Sequence, residues 1–98
     1  MSRSDIVERI RENADRLKAL GAGSVYLYGS YARDAATADS DVDIFIDRDP
    51  AKSFGFVELT EIEFLLREVL HRDVDVSTRT GLHPALSRSI EQSAMKIY

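Results

Sequence analysis

Apolar and polar residues alternate along three short stretches of the chain, and this alternation predicts three β-strands. The stretches run from Ser24 to Tyr28, from Asp41 to Asp47 and from Asp73 to Thr78. An apolar residue at every second position is typical of a strand with one buried face. In the second and third stretches the apolar positions are mostly β-branched, and the intervening positions include acidic residues. We therefore expect both strands to present carboxylates on one side of a sheet.

Apolar residues spaced three and four apart predict two long helices, from Ser4 to Leu20 and from Phe56 to His71. Ser4 is the expected N-cap of the first helix, and Gly21 is expected to end it. A single helical turn or two can form between the first two strands, from Tyr31 to Ala36.

The C-terminal part of the chain predicts a turn followed by a helix. Residues 81–83 have the composition of a turn, and Pro84 suits the first position of a helix that directs Leu86 and Ile90 inward. Residues 95–98 either end this helix or form a short edge strand, and the pattern leaves both alternatives open.

The order of these elements predicts an α/β fold of the α+β type: one mixed β-sheet with helices packed on one face. The short link between the first two strands allows an antiparallel pair, whereas the link through the helix of residues 56–71 suits a crossover to a parallel strand. With 98 residues the chain is expected to form a single domain, residues 1–98.

Composition narrows the classes of function. The absence of cysteine excludes disulfides and thiolate chemistry, and no apolar run approaches the roughly 20 residues of a membrane span. No signal peptide is recognisable, so the cytoplasm is the expected location. The net charge of −4 disfavours general nucleic-acid binding, because such proteins usually carry a basic surplus.

The candidate chemistry lies between the first two strands. Asp41 and Asp43 stand two residues apart, so their carboxylates leave the strand on the same face. Such a pair needs a cation between its members, and oxygen ligands without cysteine favour Mg²⁺ or Mn²⁺. Gly29 and Ser30 end the preceding strand and offer backbone N–H groups and a hydroxyl that suit a phosphate. Together these features indicate a metal–nucleotide substrate.

Each feature also has a plainer interpretation. Gly29-Ser30 alone is more often an ordinary turn, and two aspartates on a strand are about as often a solvated face as a site. The acidic run also resembles the start of an EF-hand loop, but Ile44 and Pro50 occupy the positions where glycine and glutamate are required. His71 and His83 are interpreted as surface or helix-end residues.

Gly29-Ser30, ten intervening residues, and then Asp41-Val42-Asp43 resemble the signature of the DNA polymerase β-like nucleotidyltransferase superfamily. The wider segment is similar to the minimal nucleotidyltransferases of bacteria and archaea. Asp75 matches that family's third carboxylate, although Asp73 shares its face and periodicity alone leaves both open. Asp34 stands where the family usually has glycine, which places a further negative charge beside the proposed phosphate site.

The resemblance implies a polymerase β-like fold and a two-metal mechanism. Asp41, Asp43 and Asp75 would hold two Mg²⁺ ions, and Gly29 and Ser30 would bind the terminal phosphates of ATP. Arg33 either contacts the substrate or forms a structural ion pair. The implied reaction transfers AMP from ATP to a protein hydroxyl.

The resemblance also implies a partner, a small helical HEPN-type ribonuclease toxin for which this chain is the antitoxin and of which a tyrosine is the acceptor. The competing hypothesis is an inactive nucleotidyltransferase fold that neutralises the toxin by binding alone. A small-molecule nucleotidyltransferase is disfavoured because the chain lacks an acceptor domain. Four apolar residues predict either an interface or a cover for the sheet edge: Phe54, Phe56, Val57 and Phe64.

Overall fold

The computed structural model describes residues 1–82 and 84–98, and the side chains of residues 84–86 are outside this description. His83, the last residue of the turn expected at residues 81–83, and the inward direction expected for Leu86 therefore lie outside the described residues. The start of that turn is seen as a short 3-10 helix, Arg79–Gly81. The helices are α1 (Arg3–Glu12), α2 (Ala14–Ala19), the single turn α3 (Gly29–Ala32), α4 (Phe56–Leu70) and α5 (Pro84–Ser93). The strands are β1 (Ala22–Tyr28), β2 (Val42–Arg48), β3 (Val74–Thr78) and β4 (Met95–Lys96).

The strands form one mixed four-stranded sheet in the order β3-β2-β1-β4. β1 and β2 are antiparallel, whereas β2 and β3, joined through α4, are parallel. Both pairings confirm the predicted directions and the α+β class. The open question about residues 95–98 is resolved in favour of an edge strand, because β4 pairs antiparallel with β1.

The hydrophobic core lies between one face of the sheet and helices α1, α2 and α4. The sheet contributes its alternating β-branched and leucine residues, and each helix contributes one apolar stripe. The residues buried to 0% exposure in this core are Ile6, Ile10, Leu17, Ala22, Val25, Leu27, Val42, Ile44, Ile46, Ile62 and Leu66. Among the described residues, no helix is both long and apolar enough to cross a lipid bilayer.

The first predicted helix is in fact two helices, and its cap was wrongly placed. Ser2, not Ser4, is the N-cap, because its hydroxyl accepts from the Asp5 N–H (3.2 Å) while the Asp5 carboxylate accepts from the Ser2 N–H (3.0 Å). This reciprocal pair is a capping box. The helix then breaks at Asn13, whose side-chain amide donates to the Arg9 carbonyl at 2.9 Å. A side chain that bonds nearby backbone in this way competes with the helix.

Helix α4 agrees with its predicted apolar stripe, since Ile62, Leu65, Leu66 and Leu70 are buried. Gly55 is its N-cap, and the Gly55 N–H donates to the Glu58 carboxylate at 3.1 Å. The helix ends one residue earlier than predicted. His71 caps it in the left-handed conformation with φ 53°.

The predicted apolar patch separates into two parts. Phe56, Val57 and Phe64 are exposed on α4, whereas Phe54 packs against the core beside Gly21. Phe54 therefore belongs to the interior and not to a surface patch. The exposed part remains available for contact with another molecule.

Candidate active site on the open face of the sheet

The strand register builds a row of three polar side chains across the face of the sheet that points away from the core. Tyr28 of β1 is the register partner of Asp43 on β2, and Asp43 is the register partner of Asp75 on β3. Register partners project to the same face with Cβ atoms about 5 Å apart. Asp75, and not Asp73, therefore stands directly beside Asp43.

Gly29 brings the backbone of the turn against the Asp43 carboxylate. Its φ is +74°, and a Cβ added here would contact Asp43 Oδ2 and lie 3.1 Å from Asp43 Cγ. Both the left-handed backbone and the lack of space require glycine at this position. Among the described residues, the hydroxyl of the neighbouring Ser30 has no hydrogen-bond partner. The first N–H groups of a helical turn also lack partners inside the helix, so donors gather beside the carboxylate.

The segment that leads from this turn to β2 is fixed by its own hydrogen bonds. Asp34 adopts φ 58°, the left-handed conformation that glycine takes easily and aspartate tolerates better than most residues. The Ala35 N–H donates to the Ser30 carbonyl at 2.8 Å, and Arg72 donates to the Ala38 carbonyl at 2.8 Å. These contacts hold the chain that delivers Asp41 to the start of β2.

Electrostatics concentrate on Asp43. Burial raises the pKa of this carboxyl above its ordinary value, and the negative charges of Asp75 and then Asp41 raise it further, whereas Arg33 lowers it. Asp75 and Asp41 are therefore both close enough to Asp43 to repel its carboxylate, and Arg33 is the cation that partly offsets this repulsion. Arg33 itself is exposed and forms no ion pair with any described residue.

Tyr28 is a further member of this row, and it was not among the candidate site residues predicted from the sequence. Burial raises the pKa of its phenol, the charges of Asp43 and Asp75 raise it further, and a hydrogen bond with Ser77 lowers it. The tyrosine thus lies at one end of the acidic row, close enough for the charges of Asp43 and Asp75 to act on its phenol. Its position immediately before Gly29, on the polar face of β1, was the available signal.

A divalent cation fits the donor chemistry of this row, although the side chains do not yet enclose one. Within residues 1–82 and 84–98, no three histidine, cysteine or acidic side chains form a group that could hold a metal ion as they stand. The acids would therefore have to rotate toward a shared ion. The negative charges of Asp75 and Asp41 help to raise the pKa of Asp43, and a bound divalent cation would neutralise them.

A second polar cluster bounds the row on the same face. The guanidinium of Arg79 lies 4.8 Å from the ring centroid of Tyr26 and 4.9 Å from that of Phe45. It donates to both carboxylate oxygens of Asp47, at 2.7 and 3.0 Å, and pairs with Glu91 of α5 at 3.3 Å. Arg79 thus ties α5 to the open face. Sequence reasoning missed it, although two aromatic rings on the polar face of β1 and β2 were a signal for such a cover.

Comparisons with known proteins point to one family. The family profile described as nucleotidyltransferase domain matches residues 7–97. A protein of Methanocaldococcus jannaschii, named as a candidate protein adenylyltransferase, is 34% identical over 96 residues that cover 96% of each chain.

Solved structures share the fold. One described as a candidate minimal nucleotidyltransferase has a TM-score of 0.82 at 24% identity, and the alignment covers 97% of this chain and 95% of that chain. A chain from the complex of a tri-AMPylated Shewanella oneidensis HEPN toxin with its MNT antitoxin has a TM-score of 0.59 at 19% identity, with 90% of this chain and 71% of that chain covered.

Proposed function

The chain belongs to the nucleotidyltransferase domain family, and from this premise we propose that it transfers AMP from ATP to a hydroxyl group of a partner protein. The observation that carries the proposal is the alignment of Asp43 and Asp75 side by side, against the Gly29 turn. A scaffold gains nothing from carboxylates that repel each other, whereas a nucleotidyltransferase uses them to hold a cation. The name of the M. jannaschii relative, candidate protein adenylyltransferase, favours a protein acceptor.

Each residue of the row has a separate task in this proposal. Asp41, Asp43 and Asp75 would bind Mg²⁺, two ions in the complete site, and the bound ions would neutralise the charge of the triphosphate. Gly29 and Ser30 would receive the terminal phosphates through their N–H groups and the unpartnered hydroxyl. Arg33, which already lowers the pKa of Asp43, would add positive charge on the nucleotide side. Asp75 is exposed, so it can meet an incoming acceptor and take up the proton of its hydroxyl. The acceptor oxygen would then bond to the α-phosphorus of ATP while pyrophosphate leaves.

The proposed acceptor is a tyrosine of a helical HEPN-type ribonuclease toxin, with this chain as the antitoxin. Two findings support this choice: the sequence resemblance to minimal nucleotidyltransferases, and the shared fold with a chain from a complex of an AMPylated HEPN toxin and an MNT antitoxin. A tyrosine hydroxyl on a partner suits a site that opens on the surface of a sheet. Modification would convert the tyrosine hydroxyl into a bulky phosphodiester, and the toxin would lose its ribonuclease activity.

Labelling with radioactive ATP and Mg²⁺ tests the proposal. The substrate is the helical protein encoded by the neighbouring reading frame, purified together with this chain. We expect Asp43→Asn to lose at least about 100-fold in labelling, because it removes a carboxylate that would hold the Mg²⁺ ions at the reacting phosphate. Asp73→Asn is the matched control, since Asp73 lies one position before β3 and outside the row; it should label like the parent.

The result that contradicts transfer is equally clear. If Asp43→Asn labels its partner as well as the parent does, the row is not the catalytic site. If neither the parent nor Asp43→Asn labels the partner, while both still bind it and suppress its ribonuclease activity, the chain neutralises the toxin by contact alone.

A further inference from the structure

Helix α4 carries an apolar stripe on the side that faces away from the core. Val57 is 64% exposed and Phe64 is 72% exposed, and the two lie seven residues apart, so they fall on the same side of the helix. Large apolar residues at this spacing are typical of a helix that packs against another helix. Phe56 is also exposed, at 82%, but it lies about 80° around the helix from Phe64.

Phe64 also forms one wall of a groove between α4 and α2. The groove has a volume of about 480 Å³, and its floor is apolar. Ala19 and Leu20 line the α2 side, and Phe64 and Leu65 line the α4 side. An apolar groove between two helices can receive the apolar side chains of a third helix.

The charges at the rim of this groove indicate what would fill it. Glu61 and Glu68 lie three residues before and four residues after Phe64, and both line the groove. Neither carboxylate pairs with a cation or accepts a hydrogen bond within the described part of the chain, whereas the nearby Glu63 pairs with Arg67 at 2.7 Å. Arg16, on the opposite rim, donates to Asn13. The α4 side of the groove therefore presents two free negative charges around one aromatic side chain.

From this combination we propose that the α2–α4 groove binds an amphipathic helix of a partner protein, with an apolar stripe flanked by Lys or Arg. Pairing with a second copy of this chain centred on Phe64 is disfavoured, because a two-fold axis at Phe64 would bring Glu61 and Glu68 of both copies together. α4 packs on the core side of the sheet, so this surface lies on the side opposite to the carboxylate row. Docking here is independent of the transfer chemistry and leaves the open face accessible.

A synthetic amphipathic peptide provides a defined probe. An 18-residue helix with a leucine stripe and a polar face of Lys and Arg is titrated into the ¹⁵N-labelled chain, alongside a matched peptide whose polar face carries Glu. We expect the basic peptide to shift amide signals in α2 and α4, and to bind at least about 10-fold more tightly than the acidic one. Phe64→Ser should weaken binding at least about 10-fold, because a central aromatic anchor is lost.

Two further variants separate the groove from general attraction between a basic peptide and an acidic protein. Phe56→Ser removes a phenylalanine that is at least as exposed but lies outside the stripe, so this variant should bind the peptide like the parent. The double variant Glu61→Gln and Glu68→Gln should weaken binding of the basic peptide. The difference in affinity between the basic and the acidic peptide should therefore become smaller. AMP transfer to the proposed toxin is measured in parallel. Each groove variant should keep the parental rate, because its open face is unchanged, so failure of docking and failure of catalysis are distinguished.

Three results would overturn the proposal. The first is equal binding of the basic and acidic peptides. The second is an equal loss of binding in Phe56→Ser and Phe64→Ser. The third is sedimentation of the parent chain as a dimer that Phe64→Ser converts to a monomer, which would assign the groove to a second copy of this chain.

Discussion

Replacing Gly29 by alanine tests the close approach between the turn after β1 and the Asp43 carboxylate. The new methyl group would lie 3.1 Å from Asp43 Cγ and 3.3 Å from its Cβ, in addition to its contact with Oδ2. The carboxylate is the group that can move, so we expect it to rotate or shift away from the row that it forms with Asp75. The variant therefore perturbs the position of one acid without changing its chemistry.

Two magnitudes follow from this geometry. A non-glycine residue held near φ +74° costs about 1–2 kcal/mol in the free energy of unfolding. A domain of this size has about 5–15 kcal/mol of total stability, so the variant should remain folded. Catalysis is more sensitive, because a displacement of about 1 Å in a reacting group can reduce the rate about 100-fold. We therefore expect a modest loss of stability together with a large loss of transfer.

Gly21→Ala is the matched control for this variant. Gly21 also has a positive φ, +102°, and its added Cβ would lie 2.8 Å from the Phe54 ring, far from the open face. Urea denaturation followed by circular dichroism should show a lower midpoint for both variants. Labelling of the partner with radioactive ATP, scaled to the folded fraction, should fall only in Gly29→Ala. The reasoning is refuted if Gly29→Ala keeps more than about one third of the parental rate, or if Gly21→Ala loses as much.

Two further predictions concern stability. The raised pKa of Asp43 means that its ionised form destabilises the fold at neutral pH, and that this penalty disappears as the pH falls through the folded pKa and below the ordinary value of 3.8. Without divalent cations, Asp43→Asn should therefore raise the free energy of unfolding near pH 7 by roughly 0.2–1 kcal/mol, with a smaller gain in acid; a loss of stability at neutral pH would contradict this. Arg79→Gln removes the paired bonds to Asp47 and the contacts with both rings, so thermal unfolding should report a loss of about 1–3 kcal/mol. The exposed Arg88→Gln should change stability by less than about 0.5 kcal/mol, and equal losses would show that the cluster contributes nothing specific.

The sequence predicted the strands and the directions of their pairing because both depend on local patterns. Alternation assigned Asp43 to the polar face of β2, and the length of each connection determined which strand pairs could be antiparallel. It could not reveal that Tyr28 and Asp75 flank Asp43, because cross-strand register is set by packing over the whole sheet. The choice of Asp75 over Asp73 came from the family resemblance, and the register independently brings Asp75 beside Asp43.

The helix ends show a different reason for partial success. The capping box at Ser2 was visible as Ser2 followed three residues later by Asp5, but Ser4 offered a competing hydroxyl nearby. The break at Asn13 has no counterpart in the apolar spacing, because the stripe continues from Ile10 to Leu17 across it. Boundaries of this kind depend on one side-chain hydrogen bond, which a periodic pattern does not record.

The three-strand row also determines where the chain can tolerate a change of length. One residue inserted within β2 would turn Asp43 inward and an apolar neighbour outward, because side chains alternate with a period of two. The link of residues 35–40 lies outside the strands, so a residue added there would not change the register of Tyr28, Asp43 and Asp75. It would instead disturb the hydrogen bonds at Ala35 and Ala38 that lead the chain to Asp41. Among descendants of this chain, a change of length inside the strands is therefore more damaging to the row than a change of length in this link.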